Sequence, residues 1–310
     1  MKNKKSFWGF LISTFIILIT TDCNAQITDS LKYDNGFLYY HEYGSKNLPA
    51  VIVLTGGPGN TYNQLEEMAI KMSPKFRCIL LEQRGTGKSI PKPFDSTTVN
   101  INLVTKDLKT LIDNLKLKKS VLLGHSWGGM LAMNFAAEYP KNVKQLILIG
   151  PGPHKDVKNG FEVFFANRTH KRSSKEENRL NQLTKLIKTN KADSLEIIES
   201  MKLTRRAYIY ANPIPDSLFL KVNTERNSKT LALLWKDIIQ NYDVSKTLNN
   251  YKGQIDIISG RQDVAGFFSY ELKQDRPSIN LHWINKSGHF PMYEQPSEFY
   301  DILYSVLEGK

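Results

Sequence analysis

The segment that most restricts how this chain can fold is 121–129, where an apolar run leads through a glycine-flanked serine into a helical pattern. Gly124 and Gly128 stand two residues on either side of Ser126. Small residues at these positions let a strand and a helix approach closely, and the sharp turn between them exposes the serine hydroxyl. The first turn of the helix also presents unpaired backbone N–H groups. The segment therefore predicts a nucleophilic serine at the carboxyl end of a buried strand.

Apolar runs without alternation occur on both sides of this segment, which is typical of strands buried on both faces of a parallel sheet. The sequence predicts such strands at 50–55, 76–81, 120–123, 143–149, 254–259 and 279–284. It predicts helices at 62–71, 104–115, 127–138 and 297–307. An aromatic-rich hairpin is predicted at 31–43. Strands that alternate with helices indicate an α/β fold with a mostly parallel, doubly wound sheet.

The alternation stops at 152–251, where the chain becomes polar, basic and mostly helical in pattern. Sheet strands resume after this stretch, so it interrupts a domain and does not follow one. We predict a core formed by 26–151 and 252–310, with a helical cap inserted at 152–251.

Residues 1–25 have the layout of a secretory signal peptide, with a basic start and an apolar run too short to span a bilayer comfortably. Ala25 supplies the small residue before a cleavage site, so the mature chain is expected to begin at Gln26. Lipid anchoring through Cys23 is the alternative, although Asp22 is a poor match to the small residue usual there. We expect export to the periplasm or the medium, without stable membrane insertion after cleavage.

Charge and cysteine content argue against a nucleic-acid-binding protein and against a disulfide-stabilised one. The formal net charge is +12, but the basic residues are spread along the chain, are densest at 171–191, and lack interleaved aromatic residues. We interpret them as solvated helix faces and expect no nucleic-acid partner. Outside the signal segment Cys78 stands alone, so no intramolecular disulfide is expected.

A serine nucleophile needs a general base, and the base needs an acid that holds its tautomer. After this kind of turn the chain order is serine, acid, histidine. Asp263 and His289 each follow a predicted strand directly, so both are expected at the carboxyl edge of the sheet. Asp256 is the competing acid, but its position within a strand would bury the carboxylate without an obvious partner. The remaining histidines are interpreted as structural: His41, His125, His154, His170 and His282.

Acyl transfer also needs backbone donors for the oxyanion. The residue after the nucleophile, Trp127, offers one N–H group, and Gly57 in the glycine-rich turn 55–59 offers another. A second glycine-containing segment, 87–89, imitates the end of a phosphate-binding loop. That motif requires glycine where this chain has Glu82, so no nucleotide site is predicted.

Together these segments resemble the proline iminopeptidase family of α/β-hydrolases. That family typically has His-Gly-Gly-Pro-Gly, Asp-Gln-Arg-Gly-x-Gly-x-Ser, Gly-x-Ser-Trp-Gly-Gly, Gly-Arg-x-Asp and Gly-His. The corresponding segments here are 55–59, 82–89, 124–129, 260–263 and 288–289. Approximately 30–150 and 252–308 are covered by the resemblance.

The resemblance implies an α/β-hydrolase fold with a helical cap, no metal and no organic cofactor. It also implies a triad of Ser126, Asp263 and His289, with Gly57 and Trp127 as oxyanion donors. Two positions depart from the family pattern, since Thr55 replaces its histidine and Glu82 its aspartate.

The activity implied is that of an aminopeptidase that releases an N-terminal residue, often proline, from short peptides. Such exopeptidases hold the free amino terminus with cap carboxylates, and Glu225 lies about where one is expected. A carboxylesterase or lactonase acting on small acyl compounds is the alternative, followed by an inactive binding protein. Epoxide hydrolases and haloalkane dehalogenases attack through a carboxylate, and Ser126 argues against both.

Overall fold

The structure is a computed structural model and describes residues 26–309. The predicted signal peptide at 1–25 lies outside this range. Within it, none of the helices combines the length and the apolar character that crossing a membrane requires.

An eight-stranded sheet forms the centre of the molecule, in the order β1-β2-β4-β3-β5-β6-β7-β8. Its strands are β1 (Ile27–Tyr33), β2 (Gly36–Tyr43), β3 (Ala50–Leu54), β4 (Arg77–Leu81), β5 (Ser120–His125), β6 (Val143–Ile149), β7 (Gln254–Gly260) and β8 (Asn280–Ile284). β2 pairs antiparallel with β1 and β4, and the other neighbouring strands are parallel. The predicted mostly parallel, doubly wound sheet is confirmed.

Helices cover both faces of this sheet. The helices are α1 (Asn63–Met72), α2 (Ile101–Asn114), α3 (Trp127–Glu138), α4 (Val157–His170), α5 (Ser174–Lys188), α6 (Ser194–Arg206), α7 (Asp216–Val222), α8 (Ser228–Asn241), α9 (Gly266–Asp275), α10 (Pro291–Glu294) and α11 (Pro296–Glu308). Along β3, Ile52 and Leu54 pack in one apolar cluster, whereas Val51 and Val53 pack in a second cluster. A strand buried on both faces must be apolar at every position, which explains the continuous apolar runs.

Helices α4 to α8 all lie between β6 and β7, in the stretch predicted as a cap. Two of them begin with capping boxes, in which Ser173 pairs with Glu176 and Asp193 pairs with Glu196. These reciprocal hydrogen bonds satisfy the free N–H groups at the start of each helix. The division of the chain into core and cap stays a prediction.

Candidate active site

The backbone at Ser126, between β5 and α3, adopts φ 55° and ψ −115°, a region that residues other than glycine rarely enter. Backbone hydrogen bonds hold it there, among them Ser126 N–H to Ile149 O at 2.9 Å and Gly129 N–H to Ser126 O at 3.0 Å. The Ser126 side chain is half-buried, whereas His125 and Trp127 on either side are buried. The turn therefore presents the serine and hides its neighbours.

The two flanking glycines are required by close backbone packing. A Cβ atom at Gly124 would come within 3 Å of the Gly128 carbonyl, and a Cβ atom at Gly128 would come within 3 Å of the Leu54 carbonyl. Backbone atoms cannot move aside as a flexible side chain can. The Gly-x-Ser-x-Gly spacing is thus a packing requirement of the contacts between β3, β5 and α3.

Asp263 and His289 are brought together by the loops that follow β7 and β8. His289 Nδ1 lies 2.8 Å from Asp263 Oδ2, and the second carboxylate oxygen accepts the Ala265 N–H at 2.8 Å. The Asp263 side chain is fully buried, and that of His289 is 7% exposed. With Nδ1 engaged by the carboxylate, Nε2 is the imidazole nitrogen left to act on another group.

Gly150, directly after β6, lies against this pair with φ +47°. A Cβ atom there would stand 3.0 Å from Asp263 Oδ2 and 3.3 Å from His289 Nδ1. Glycine therefore leaves the space that the carboxylate and the imidazole need.

The His125 side chain contacts the backbone of His289, and sequence reasoning missed this contact. His125 Nε2 lies 2.9 Å from the His289 carbonyl oxygen, and His289 N–H donates to Tyr208 O at 2.7 Å. Burial, reinforced by the neighbouring His289 charge, lowers the pKa of His125 to about 3. A neutral His125 can donate from Nε2 only in one tautomer, which leaves Nδ1 without a proton. Nδ1 has no hydrogen-bond partner among residues 26–309.

Glu294 anchors the loop that carries His289. One of its carboxylate oxygens accepts the Gly288 N–H at 2.8 Å, and the other accepts the Tyr210 N–H at 2.7 Å. Burial raises the pKa of Glu294 in spite of these donors. The sequence offers no signal for this contact, because Tyr210 is distant in the chain.

The two predicted oxyanion donors both line the cavity that contains Ser126. Trp127 is the first residue of α3, where the backbone N–H has no acceptor within the helix. Gly57 has φ +124° in the turn after β3, and its neighbour Gly56 donates its N–H to Gln64 Oε1 at 2.6 Å. The role of Trp127 and Gly57 as oxyanion donors stays a prediction.

Gln83 links the two sides of this candidate oxyanion site. Its side-chain NH₂ donates to Thr55 O at 3.0 Å and to Thr55 Oγ1 at 3.2 Å, and its oxygen accepts the Trp127 indole N–H at 2.8 Å. All three residues are at most 2% exposed. Thr55, which replaces the family histidine, is thus held by a buried amide. Sequence reasoning missed Gln83.

Asp256 and Glu82 both turn out to be fixed by structural contacts. Asp256 is 1% exposed, so its predicted burial is right, but the expectation that it would lack a partner is wrong. It accepts hydrogen bonds from Gln145, Gln254 and Asn280 at 2.7 to 2.9 Å. Glu82 lies 2.7 Å from His41 Nε2 and accepts the backbone N–H of Lys88, within the segment that imitates a phosphate loop.

A cavity of about 380 Å³ contains Ser126 and His289. Much of its wall is aromatic: Phe161, Phe164, Tyr208, Trp235, Phe268 and Phe290. The arginines Arg168, Arg205 and Arg226 also line it, and none of the Asp or Glu side chains within 26–309 does.

Glu225, the predicted ligand for an amino terminus, is exposed and does not line the cavity. Its backbone carbonyl accepts the Thr61 N–H at 3.2 Å. The structure therefore brings Ser126, Asp263 and His289 together but leaves Glu225 apart from them. In the described part of the chain, no three His, Cys, Asp or Glu side chains are grouped so that they could hold a metal ion.

Known proteins with the same architecture differ in the reactions for which they are named. Over 288 residues the chain is 27% identical to a 2-hydroxy-6-oxo-6-phenylhexa-2,4-dienoate hydrolase from Comamonas testosteroni, covering 88% of this chain and 92% of the relative. Over 274 residues it is 26% identical to a proline iminopeptidase from Heyndrickxia coagulans, covering 84% and 90%. Both alignments extend over most of each protein.

Solved structures show the same fold at lower identity. A proline iminopeptidase from Mycobacterium smegmatis superposes with a TM-score of 0.71 at 16% identity, covering 91% of this chain and 98% of that one. A structure from a study of carboxylesterases of Nitrososphaera gargenis has a TM-score of 0.67 at 21% identity, covering 90% of this chain and 98% of that one. The model of the alpha/beta hydrolase fold family matches residues 49–296. The chain therefore belongs to the alpha/beta hydrolase fold family.

Proposed function

We propose that this protein is a serine hydrolase that cleaves small carboxylic esters through an acyl-enzyme on Ser126. The proposal rests on the 2.8 Å contact of the Asp263 carboxylate with His289, which lines the same cavity as Ser126. A buried acid, an imidazole that it orients and a serine on a strained turn are the parts that nucleophilic acyl transfer requires.

In the first step His289 Nε2 takes the proton of Ser126 as the serine oxygen attacks the ester carbonyl. Asp263 keeps the proton on Nδ1 and stabilises the imidazolium that forms. The tetrahedral intermediate collapses when His289 returns the proton to the departing alcohol, which leaves the acyl group on Ser126. Water, activated by His289 in the same way, then releases the carboxylic acid and restores the serine.

The negative charge that develops on the carbonyl oxygen would be met by the N–H groups of Trp127 and Gly57. Two features support this role: Trp127 opens a helix, and Gly57 lies in a loop held to the Trp127 indole through Gln83. Preorganised donors of this kind are typically worth about 3–4 kcal/mol each in the transition state.

The cavity favours an ester over an N-terminal peptide. An aminopeptidase must hold a protonated amino terminus, and a buried ammonium needs a carboxylate partner. In the described part of the chain, arginines but no carboxylates line the cavity, and Glu225 is exposed outside it. The names of relatives do not decide the substrate, since one is a dienoate hydrolase and another a proline iminopeptidase. The aminopeptidase therefore remains the second candidate, supported by the motifs and by one relative.

We also infer that 152–251 acts as a cap over this site. Residues from α4, α6 and α8 contribute to the wall of the cavity together with Ser126 and His289 from the core. Such an insertion would set the substrate class while the core supplies the chemistry. Export remains a proposal that rests on the layout of residues 1–25.

The proposal is tested by initial rates of the purified protein on para-nitrophenyl butyrate and on proline naphthylamide. We expect turnover of the ester, and a loss of at least about 10³-fold in kcat for Ser126→Ala and Asp263→Asn. Asp256→Asn is the matched control, because Asp256 is an equally buried carboxylate outside the cavity. Cleavage of the amide alone would favour the aminopeptidase, and ester turnover that survives Ser126→Ala would refute the mechanism.

A further inference from the structure

Three arginines from separate parts of the inserted segment line the cavity beside Ser126. Arg168 lies on α4, Arg205 lies on α6, and Arg226 follows α7, where it forms an isolated β-bridge with Asn60. We call these three residues the arginine cluster. Because the cavity volume equals that of a sphere about 9 Å across, one small molecule could touch both the cluster and the serine.

No member of the arginine cluster has a carboxylate within salt-bridge distance among residues 26–309. Other arginines of the same segment do: Arg172 lies 2.6 Å from Glu177, and Arg179 lies 2.7 Å from Glu199. Arg206 lies 3.8 Å from Glu176, so among the arginines of this segment only those that line the cavity lack a carboxylate partner. Arg168 Nε is buried without a hydrogen-bond partner in this part of the chain.

Arg205 lies close enough to the other two members of the cluster for their charges to act on it. Burial lowers the pKa of Arg205, and the charges of Arg226 and Arg168 lower it further, while Tyr208 opposes them. Like charges gathered in a partly desolvated space raise the free energy of the empty site. An anion that enters the cavity would remove this repulsion and provide the missing hydrogen-bond acceptor.

Aromatic rings lie beside one member of the cluster, Arg168. The Arg168 guanidinium carbon lies 5.2 Å from the centre of the Tyr208 ring and 5.5 Å from that of Phe165. Stacked guanidinium groups keep their planar donor edges free for an oxygen anion. The arrangement thus combines apolar walls with fixed donors for one negatively charged group.

We propose that the arginine cluster binds an anionic oxygen group, a carboxylate or a phosphate, on the substrate whose carbonyl carbon Ser126 attacks. This inference rests on the proposed function and specifies its substrate class. The substrate is then an ester with an anionic group within one cavity length of its scissile bond.

The first test compares two para-nitrophenyl esters that differ only at the end of the acyl chain. The pentanoate ester is neutral, whereas the glutarate monoester carries a terminal carboxylate on a chain of the same length. We expect wild-type kcat/KM to be about 10- to 100-fold higher for the glutarate ester, the range given by one or two charge-assisted hydrogen bonds. Equal values, or a preference for the neutral ester, would overturn the inference.

The second test measures the same ratio of kcat/KM values in Arg205→Gln and in the double variant Arg168→Gln/Arg205→Gln. We expect the ratio to fall toward one, because the anion loses its donors while the neutral ester does not need them. Arg179→Gln is the matched control: it removes an arginine of the same segment that is paired with Glu199. A ratio that is unchanged in the cluster variants would refute the assignment. Should those variants fail to fold, the wild-type comparison still decides the inference.

Competition identifies the anion. Pentanoate and butyl phosphate are tested as inhibitors of pentanoate ester hydrolysis, and inhibition by either supports the cluster as an anion site. The stronger inhibitor identifies the preferred anion, and inhibition by neither contradicts the inference. Failure of the inference differs from failure of the proposed function, because the latter would remove Ser126-dependent turnover of the neutral ester as well.

Discussion

Gly150→Ala should lower kcat by more than the loss of folding free energy alone would explain. The added methyl group would stand 3.0 Å from Asp263 Oδ2 and 3.3 Å from His289 Nδ1, where the two atoms now lie 2.8 Å apart. Both approaches are tighter than ordinary van der Waals contacts, so the carboxylate and the imidazole must shift by a few tenths of an ångström. The shift acts on the hydrogen bond that orients the proposed base.

The size of the effect follows from two separate costs. A non-glycine residue at φ +47° costs about 1–2 kcal/mol of folding free energy. A misplacement of about 1 Å in a catalytic group can cost about 100-fold in rate, so a shift of a few tenths of an ångström should lower kcat about 10-fold. KM should change little, because Gly150 does not line the cavity.

Gly309→Ala provides the matched control. Gly309 has φ +70° and no atom within 4 Å of the position where Cβ would stand. An alanine there would strain the backbone as at Gly150 but would not press on another residue. We expect both variants to lose about 1–2 kcal/mol in urea unfolding, and only Gly150→Ala to lose kcat on para-nitrophenyl butyrate. An unchanged kcat for Gly150→Ala would show that the pair does not set the rate.

Three further predictions concern buried polar groups around the site and the core. Gln83→Leu leaves the Thr55 carbonyl and the Trp127 indole N–H without their partner, so urea unfolding should show a loss of about 2–4 kcal/mol, and an unchanged stability would contradict this. His125 is neutral when folded, because its pKa of about 3 lies below the usual 6.5, and it takes up a proton on unfolding as the pH falls from about 6.5 toward 3. The stabilising contribution of His125 is therefore complete above pH 6.5 and is lost as the pH falls. Between pH 7 and pH 5 the free energy of unfolding of wild type should fall by about 2 kcal/mol more than that of His125→Gln. Equal losses in the two proteins would refute this. Arg84→Met removes the cation that pairs with Asp107, a carboxyl whose pKa is raised by burial. The free energy of unfolding in urea should fall by about 3–5 kcal/mol, because the buried carboxylate loses its partner. A loss below about 1 kcal/mol would argue against a buried pair.

Elements bounded by strong local signals could be predicted closely from the sequence. The predicted limits of β6 and α3 equal the observed ones, since Gly150 ends the strand and Pro140 follows the helix. Helix α2 begins three residues earlier than predicted, because Asn100 caps it by accepting the Leu103 N–H at 3.0 Å. Strand β1 begins at Ile27, four residues early, because its first residues are exposed and lack an apolar pattern.

Site residues were predictable where chemistry imposes an order along the chain. Ser126, Asp263 and His289 follow strands and meet at one edge of the sheet, as parallel strands require. Gln83, His125 and the arginine cluster were not predictable, because their roles depend on contacts between distant segments. The basic residues were interpreted as solvated faces, and no spacing connects the three members of the arginine cluster across α4, α6 and the segment after α7.

Trapping of the acyl-enzyme tests whether Ser126 is the nucleophile. The protein is mixed with para-nitrophenyl butyrate, quenched with acid within milliseconds, and analysed by intact mass and by peptide mapping. We expect one butyryl group per chain, located on Ser126, and no such adduct in Ser126→Ala. A butyryl group on another residue, or rapid ester turnover by a chain that never carries one, would contradict it.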